Sequence, residues 1–293
     1  MIELPLPVKQ ETARPKHTRL PPWLKKQLPT SPEFFRTREL LRELNLQTVC
    51  EEAKCPNQGE CWSKNLATVM IMGPYCTRTC SFCAVPKGEP VPLDQDEPRR
   101  LAEAIERLGL RHLVLTSVNR DDLPDGGAGH FVACIGALRD RLPEVKVEIL
   151  TPDFQFSLEQ SLDCFQEDLP DIWAHNIETV DRLSRKARIR GSHEATLRCL
   201  EGIKKRYPAV PTKSGIMLGM GERDDEVLET LKRLRDVGVT QITMGQYLRP
   251  SPDHMVVKEY IPPEKFSSWN DRLYAMGFEV TECHPFARSS YQS

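Results

Sequence analysis

The chain lacks any apolar run approaching the ~20 residues that a membrane-spanning helix requires, so no segment reads as a span. Its start holds no apolar signal core, and Glu3, Glu11 and several prolines break the pattern of an Arg- and Ser-rich transit peptide. The expectation is a cytoplasmic protein that needs no membrane. Charge of one sign is lacking too: 40 Lys and Arg stand against 42 Asp and Glu, a formal net charge of -2. That excludes bulk attraction to nucleic acid and leaves room for a local basic patch. No sequence-identical repeat and no composition break divides the chain, and its 7 histidines form no spaced metal-binding pair.

Cysteine is what the chain does have, with 10 in 293 residues and two triplets packed between Cys50 and Cys83. Without signs of secretion, clustered thiols point to metal binding or catalysis rather than to disulfides.

Residues 1–30 are rich in proline and charge and read as an extended arm docking through Trp23 and Leu24, or as a disordered tail. Ser31 suits an N-cap and Pro32 a first helical position, which predicts a helix over 32–44 with Phe35, Leu40, Leu41 and Leu44 on its apolar face. A strand-then-helix rhythm follows. Strands are predicted at 67–72, 112–116, 145–150, 171–175, 212–218 and 241–244, and helices at 97–108, 129–142, 157–166, 193–206, 224–237 and 264–276. Units of ~30 residues are what parallel βαβ construction requires. They fit an α/β fold, either a partial barrel or an open doubly wound sheet, with ligands at the carboxyl ends of the strands. Polar clusters follow five of the strands there, among them Asn119 with Asp121, Asn176 with Glu178, and Arg249. Each suits hydrogen bonding to a cofactor, and each alone also suits an exposed loop.

The second triplet, Cys76, Cys80 and Cys83, follows the first strand as C-x3-C-x2-C. Three thiolates on one loop can hold three corners of a [4Fe–4S] cluster and leave the fourth iron open. The alternatives are zinc, which usually takes four ligands, and core cysteine, against which Thr77, Arg78, Thr79 and Ser81 are too polar. The first triplet, Cys50, Cys55 and Cys61, is C-x4-C-x5-C. It fits neither a zinc finger nor a disulfide framework and again suggests a cluster with an open corner. Cys134, Cys164 and Cys199 fall on predicted helices and read as core, with Cys283 less clear.

With Phe82 before Cys83, the second triplet resembles the radical S-adenosylmethionine superfamily motif, C-x3-C-x-φ-C with φ aromatic, after the first strand of a partial (β/α)6 TIM-type barrel. The first triplet in its context 49–62, the stretches 22–25, 120–128, 174–180, 212–222 and 246–251, and the closing Arg288-Ser289-Ser290-Tyr291 resemble the lipoyl synthase family over roughly residues 21–291. Departures from that pattern fall at 186–194 and 283–287. The resemblance implies two [4Fe–4S] clusters and S-adenosylmethionine. Cys76, Cys80 and Cys83 would hold the radical-generating cluster, with Phe82, Asn119, Asp121, Asn176, Glu178 and Arg249 around the cofactor. Cys50, Cys55 and Cys61 would hold an auxiliary cluster, with Ser290 as fourth ligand and Ser289 as the alternative. The implied reaction inserts sulfur at C6 and C8 of an octanoyl-lysine on a lipoyl-carrier protein or domain, either the glycine cleavage H protein or the 2-oxoacid dehydrogenase E2 type. A low-potential electron donor and cluster-assembly proteins are implied partners.

The expected organisation is an arm at 1–30, an auxiliary-cluster segment at 31–66, a barrel at 67–282 and a capping tail at 283–293. Two other function classes stay in view. A two-cluster methylthiotransferase acting on tRNA sits poorly with near-neutral charge and no basic extension. A metal-stabilised binding module would not need polar clusters at the strand ends.

Overall fold

The computed structural model describes residues 19–26, 29–64 and 66–290; the first 18 residues of the expected arm and Tyr291 of the closing motif lie outside them. Helix α1 (Pro32–Glu43) starts as its sequence dictates: Ser31 Oγ accepts the Phe34 amide at 3.2 Å, and proline opens the first turn. Its buried face differs from expectation. Phe34, Leu40 and Leu41 face inward, whereas Phe35 is 40% exposed. Phe34 lies 5.4 Å from the ring of buried Trp62, and that contact sets which of the two phenylalanines turns in. Upstream, Leu24 is buried while Trp23 is largely exposed, so only one of the two expected anchors docks.

One sheet holds eight strands in sequence order. They are β1 (Gln47–Thr48), β2 (Thr68–Ile71), β3 (His112–Ser117), β4 (Lys146–Leu150), β5 (Ile172–Ala174), β6 (Thr212–Leu218), β7 (Gln241–Gln246) and β8 (Val280–Cys283). From β2 to β8 every neighbour is parallel; β1 runs antiparallel to β2. Nothing pairs β8 with β1 among the described residues, so the sheet curves without closing, as in a partial TIM-type barrel.

The crossovers are carried by α4 (Glu97–Leu108), α5 (Ala128–Arg141), α6 (Leu158–Cys164), α8 (His193–Arg206), α9 (Asp224–Asp236) and α10 (Pro263–Ala275). Each expected strand and helix is present within a few residues of its predicted bounds. The short elements that were not expected are strands β1 and β8, helices α2 (Val49–Glu52), α3 (Gln58–Ser63) and α7 (Asp181–Ala187), and a 3-10 turn at Pro22–Leu24. The first of these joins the N-terminal segment to the sheet itself. Among the described residues no helix is long and apolar enough to cross a membrane.

The apolar core has two parts. One packs β2–β4 against α1, α4 and α5 around Leu101, Ile105 and Phe131; the other packs β6 and β7 against α9 and α10 around Leu231, Phe266 and Trp269. Cys134 and Cys199 are fully buried in the first, as small hydrophobes. Cys283 ends β8 and donates to the Phe266 carbonyl at 3.1 Å, which places it with the second part of the core and away from the cysteine triplets.

Candidate functional site

A cavity of about 480 Å³ opens at the carboxyl ends of the strands. Cys76, Cys80 and Cys83 line it, together with Phe82, Asn119, Asn176, Glu178 and Arg249. The loop after β2 that carries these cysteines is pinned from several sides. The Cys76 amide donates to the Pro86 carbonyl at 2.9 Å, Ser81 N to Ala187 O at 2.8 Å, and Met255 N to Ser81 O at 2.9 Å. Cys76 Sγ itself accepts the Asn119 amide at 3.4 Å.

The first triplet sits on helix α2 (Val49–Glu52), the turn after it, and helix α3 (Gln58–Ser63). Thr48 caps α2, and Lys54, at φ 51° in the left-handed region, reverses the chain so that Cys55 returns beside Cys50. Cys50, Cys55 and Cys61 line a second, smaller cavity with Arg288 and Ser290. Cys55, Arg288 and Ser290 border both cavities. They form a shared wall between the two triplets.

The tail reaches that wall because the sheet makes room for it. A Cβ on Gly215 of β6 would stand 2.5 Å from Ser289 Oγ and 2.7 Å from Asn176 Oδ1, and one on Gly245 of β7 would collide with the Ala287 carbonyl. The tail is also hydrogen-bonded in place: Gln246 N donates to Pro285 O at 3.0 Å, and Asn57 Nδ2, between the cysteines of the first triplet, donates to Phe286 O at 2.7 Å. Ser289 Oγ donates to Asn176 Oδ1 at 2.7 Å. Ser290 alone of the two serines lines the cavity of the first triplet.

The electrostatics suit an anionic metal group. Burial pushes the Cys50 thiol up to about 11, with Cys55 adding to it, and the Cys61 and Cys80 thiols up to about 12. Burial also raises Cys83, against the opposing charge of Lys87. Thiols so buried become thiolates by binding a metal, which takes the place of their protons. Two cations stand ready beside them. Arg188 is buried near Cys80, and Arg288, its basicity lowered by burial, faces Cys55. Each triplet thus offers three soft donors on one cavity wall, and the first adds a hydroxyl; these donors fit cubic iron–sulfur groups. Among the described residues no three His, Cys, Asp or Glu side chains gather around a point as a single metal ion requires.

Polar atoms without partners also face the main cavity. Ser117 Oγ, Asn119 Oδ1 and Thr243 Oγ1 are buried there and unpaired. Burial raises the carboxyl of Glu178, opposed by Arg188. His175 hydrogen-bonds Thr151 O through Nδ1 at 2.8 Å and Thr196 Oγ1 through Nε2 at 3.1 Å. The carbonyl can only accept, which fixes the proton on Nδ1, and burial lowers the imidazole to about 4.

Three charged side chains are committed to partners within the chain. Asp121 does not line the cavity: Arg78 takes its carboxylate through two bonds of 2.8 Å. Lys213 on β6 is buried and bonds Glu148 Oε1 at 2.8 Å. Arg249 lines the cavity but spends donors on its own loop, at His254 O (2.8 Å) and Pro252 O. Asp153, Arg188 and Thr243 were not singled out from the sequence, and Arg288 stood there only as part of the closing motif with no role, because no local pattern marks a residue whose partner lies on another strand.

Known proteins place the chain. The radical SAM superfamily model matches residues 70–234, and the model for the N-terminal domain of lipoyl synthase matches residues 6–55. Lipoyl synthase of Thiobacillus denitrificans is 49% identical over 94% of this chain and 88% of its own length. That of Thermus thermophilus is also 49% identical, over 97% and 88%. Among solved structures, methylornithine synthase is similar at TM-score 0.56 and 17% identity, covering 72% of this chain and 62% of its own. Streptococcus suis SuiB bound to S-adenosylmethionine is similar at TM-score 0.55 and 10% identity, covering 85% and 60%. The chain thus spans less than two thirds of those solved structures, and they bear on the fold alone. From the superfamily match over more than half of the chain and relatives near half identical along almost all of it, the chain belongs to the radical SAM superfamily and, within it, to the lipoyl synthase family.

Proposed function

We propose that this chain inserts sulfur at C6 and C8 of an octanoyl chain held in amide linkage to a lysine of a carrier protein or domain, of the glycine cleavage H or 2-oxoacid dehydrogenase E2 type. Cys76, Cys80 and Cys83 would hold the radical-generating [4Fe–4S] cluster, and Cys50, Cys55, Cys61 and Ser290 an auxiliary one. When bound, these groups supply an electron to S-adenosylmethionine, a 5′-deoxyadenosyl radical that removes hydrogen from the acyl chain, and the sulfide that replaces it.

The protein's own part is placement. Ser117, Asn119 and Thr243 offer unpaired polar atoms to the polar ends of a cofactor. Arg188 and Arg288 offset the negative charge of thiolate-bound clusters. Met70, Val118, Ile216 and Tyr247, all buried on the cavity wall, suit an alkyl chain and keep water from it. A serine oxygen is a weaker partner for iron than a thiolate, which suits a ligand that must let go of a cluster being consumed.

The observation that carries the reading is the shared wall of Cys55, Arg288 and Ser290. It sets the first triplet beside the cavity of the second, where a sulfur donor and a substrate radical must meet. The test is mass spectrometry of an octanoylated carrier incubated with loaded enzyme, a low-potential reductant and S-adenosylmethionine. The expected product gains two sulfur atoms. No sulfur-dependent mass gain from enzyme holding about eight iron per chain, the content of two cubic clusters, would overturn it.

A further inference from the structure

The mouth of the main cavity has a charge that the chain as a whole does not. Its exposed lining residues are Lys54, Thr79, Lys87, Ile189 and Arg190. Three are cations, none is acidic, and Ile189 is an aliphatic side chain left 68% exposed. The chain carries 42 acidic residues against 40 basic ones, so an all-basic rim is a local arrangement and no reflection of composition. Arg185 and Lys186, exposed on the same segment after Ser184, extend it. Among the described residues, Lys54, Arg185, Lys186 and Arg190 form no ion pair.

Deeper in, the acids on the cavity wall are Asp153 and Glu178. Asp153 is bound by Arg78, and Glu178 faces Arg188. The inward cations therefore have work at the buried thiols or with buried carboxylates. Among the described residues, Lys54, Arg185, Lys186 and Arg190 at the rim pair with no carboxylate.

A cavity of about 480 Å³ has the scale of a small-molecule site and admits no folded domain. The body of a protein substrate must stay outside while its arm enters. It then rests on whatever surrounds the mouth. An exposed aliphatic side chain ringed by cations is a small docking face, an apolar anchor within a charged border.

We infer that the rim formed by Lys54, Lys87, Ile189 and Arg190, extended by Arg185 and Lys186, docks the carrier domain through an acidic surface flanking its acylated lysine. This rests on the proposed function and names the face that recognises the partner. Lys87 also holds the cysteine loop, donating to Cys83 O at 3.1 Å and to Val85 O. The clean probes are accordingly Lys186, Ile189 and Arg190, whose side chains are exposed while Ala187 and Arg188 between them are buried.

The experiment compares two substrates with the holoenzyme. One is the octanoylated glycine cleavage H protein; the other is a short, uncharged octanoyl-lysine peptide that carries the arm without the domain. For the double variant Lys186→Glu and Arg190→Glu, KM for the H protein, read as the concentration giving half the maximal single-turnover rate, rises about tenfold or more with that maximal rate little changed. Peptide turnover stays at the level of the unaltered protein, which also shows the variant folded and loaded. Ile189→Ser raises the same KM without altering its salt dependence. In the unaltered protein, added salt raises KM for the H protein and leaves the peptide's unchanged. An unchanged KM for the H protein in the double variant overturns the proposal, as does an equal loss with both substrates. If the unaltered protein adds sulfur to neither substrate, the proposed function itself fails, a result distinct from either.

Discussion

Arg78 grips Asp121 through two parallel bonds of 2.8 Å, Nε to Oδ2 and Nη2 to Oδ1, and reaches Asp153 Oδ2 through Nη1 at 2.9 Å. The arginine lies between Cys76 and Cys80 and is 6% exposed. Its two partners sit on the loops after β3 and β4, so one guanidinium ties the cysteine loop to two strand ends. Burial pushes the Asp153 carboxyl up, but the bond from Arg78 wins and holds it below the usual range. Forked Arg–carboxylate pairing fixes direction as well as distance.

Asp121→Asn and Arg78→Lys are therefore expected to share one phenotype, loss of iron from the site of the second triplet. Breaking a buried pair from one side costs about 3–5 kcal/mol. A double-mutant cycle on iron content and thermal stability should show the two changes to be strongly non-additive. If Asp121→Asn weakened S-adenosylmethionine binding with the cluster intact, Asp121 would be a cofactor contact after all.

Ser290→Ala should abolish sulfurated product while 5′-deoxyadenosine formation continues, because the auxiliary site would lose the fourth ligand proposed for it. Ser289→Ala removes a bond to Asn176 and is expected to keep most product. Chromatography of 5′-deoxyadenosine beside mass spectrometry of the carrier separates the two. The reverse order of damage would assign the ligand to Ser289.

The cysteine variants should divide in the same way. Cys76→Ala is expected to lose S-adenosylmethionine cleavage altogether, and Cys55→Ala to keep some cleavage and lose product. Identical behaviour would mean that the triplets do not have separate tasks.

His175 predicts how stability follows pH. Its folded value of about 4 lies below the ordinary 6.5, so between those values the unfolded chain binds the extra proton. Stability then rises with pH through that window and is lost as pH falls from about 6.5 towards 4, by on the order of 3 kcal/mol in full. Urea unfolding at several pH values checks it: His175→Gln should flatten the slope between those limits.

Lys213→Met leaves Glu148 buried without its 2.8 Å partner. Burial pushes the Glu148 carboxyl up, yet His112 and Lys213 together hold it below its usual range. Removing the lysine should cost about 3–5 kcal/mol, seen as a lower Tm. The double variant with Glu148→Leu is expected to recover much of the loss, because no unpaired charge then remains.

Much of this molecule was legible in one dimension. Helices α4 and α8 and strand β6 lie at their predicted bounds, because hydrophobic spacing is a local signal; in the structure Ser192 caps the start of α8 and left-handed Gly109 ends α4. Strand β8, with a half-exposed pattern and only four residues, left no such trace. The two triplets were likewise plain, since ligand spacing on a loop is written directly in the chain.

By itself, then, the sequence determined the order of strands and helices, the two sets of thiols and the family they belong to. Tertiary structure decided the pairings. It turned Phe34 inward in place of Phe35, gave Asp121 to Arg78, buried Lys213 against Glu148, and set Ser290 beside Cys55 with Ser289 on Asn176. The physical reason is the same in each case. A residue's type fixes what it can bind, but which partner it meets depends on strands and loops far away in the chain, and here on two glycines that let the tail lie against the sheet.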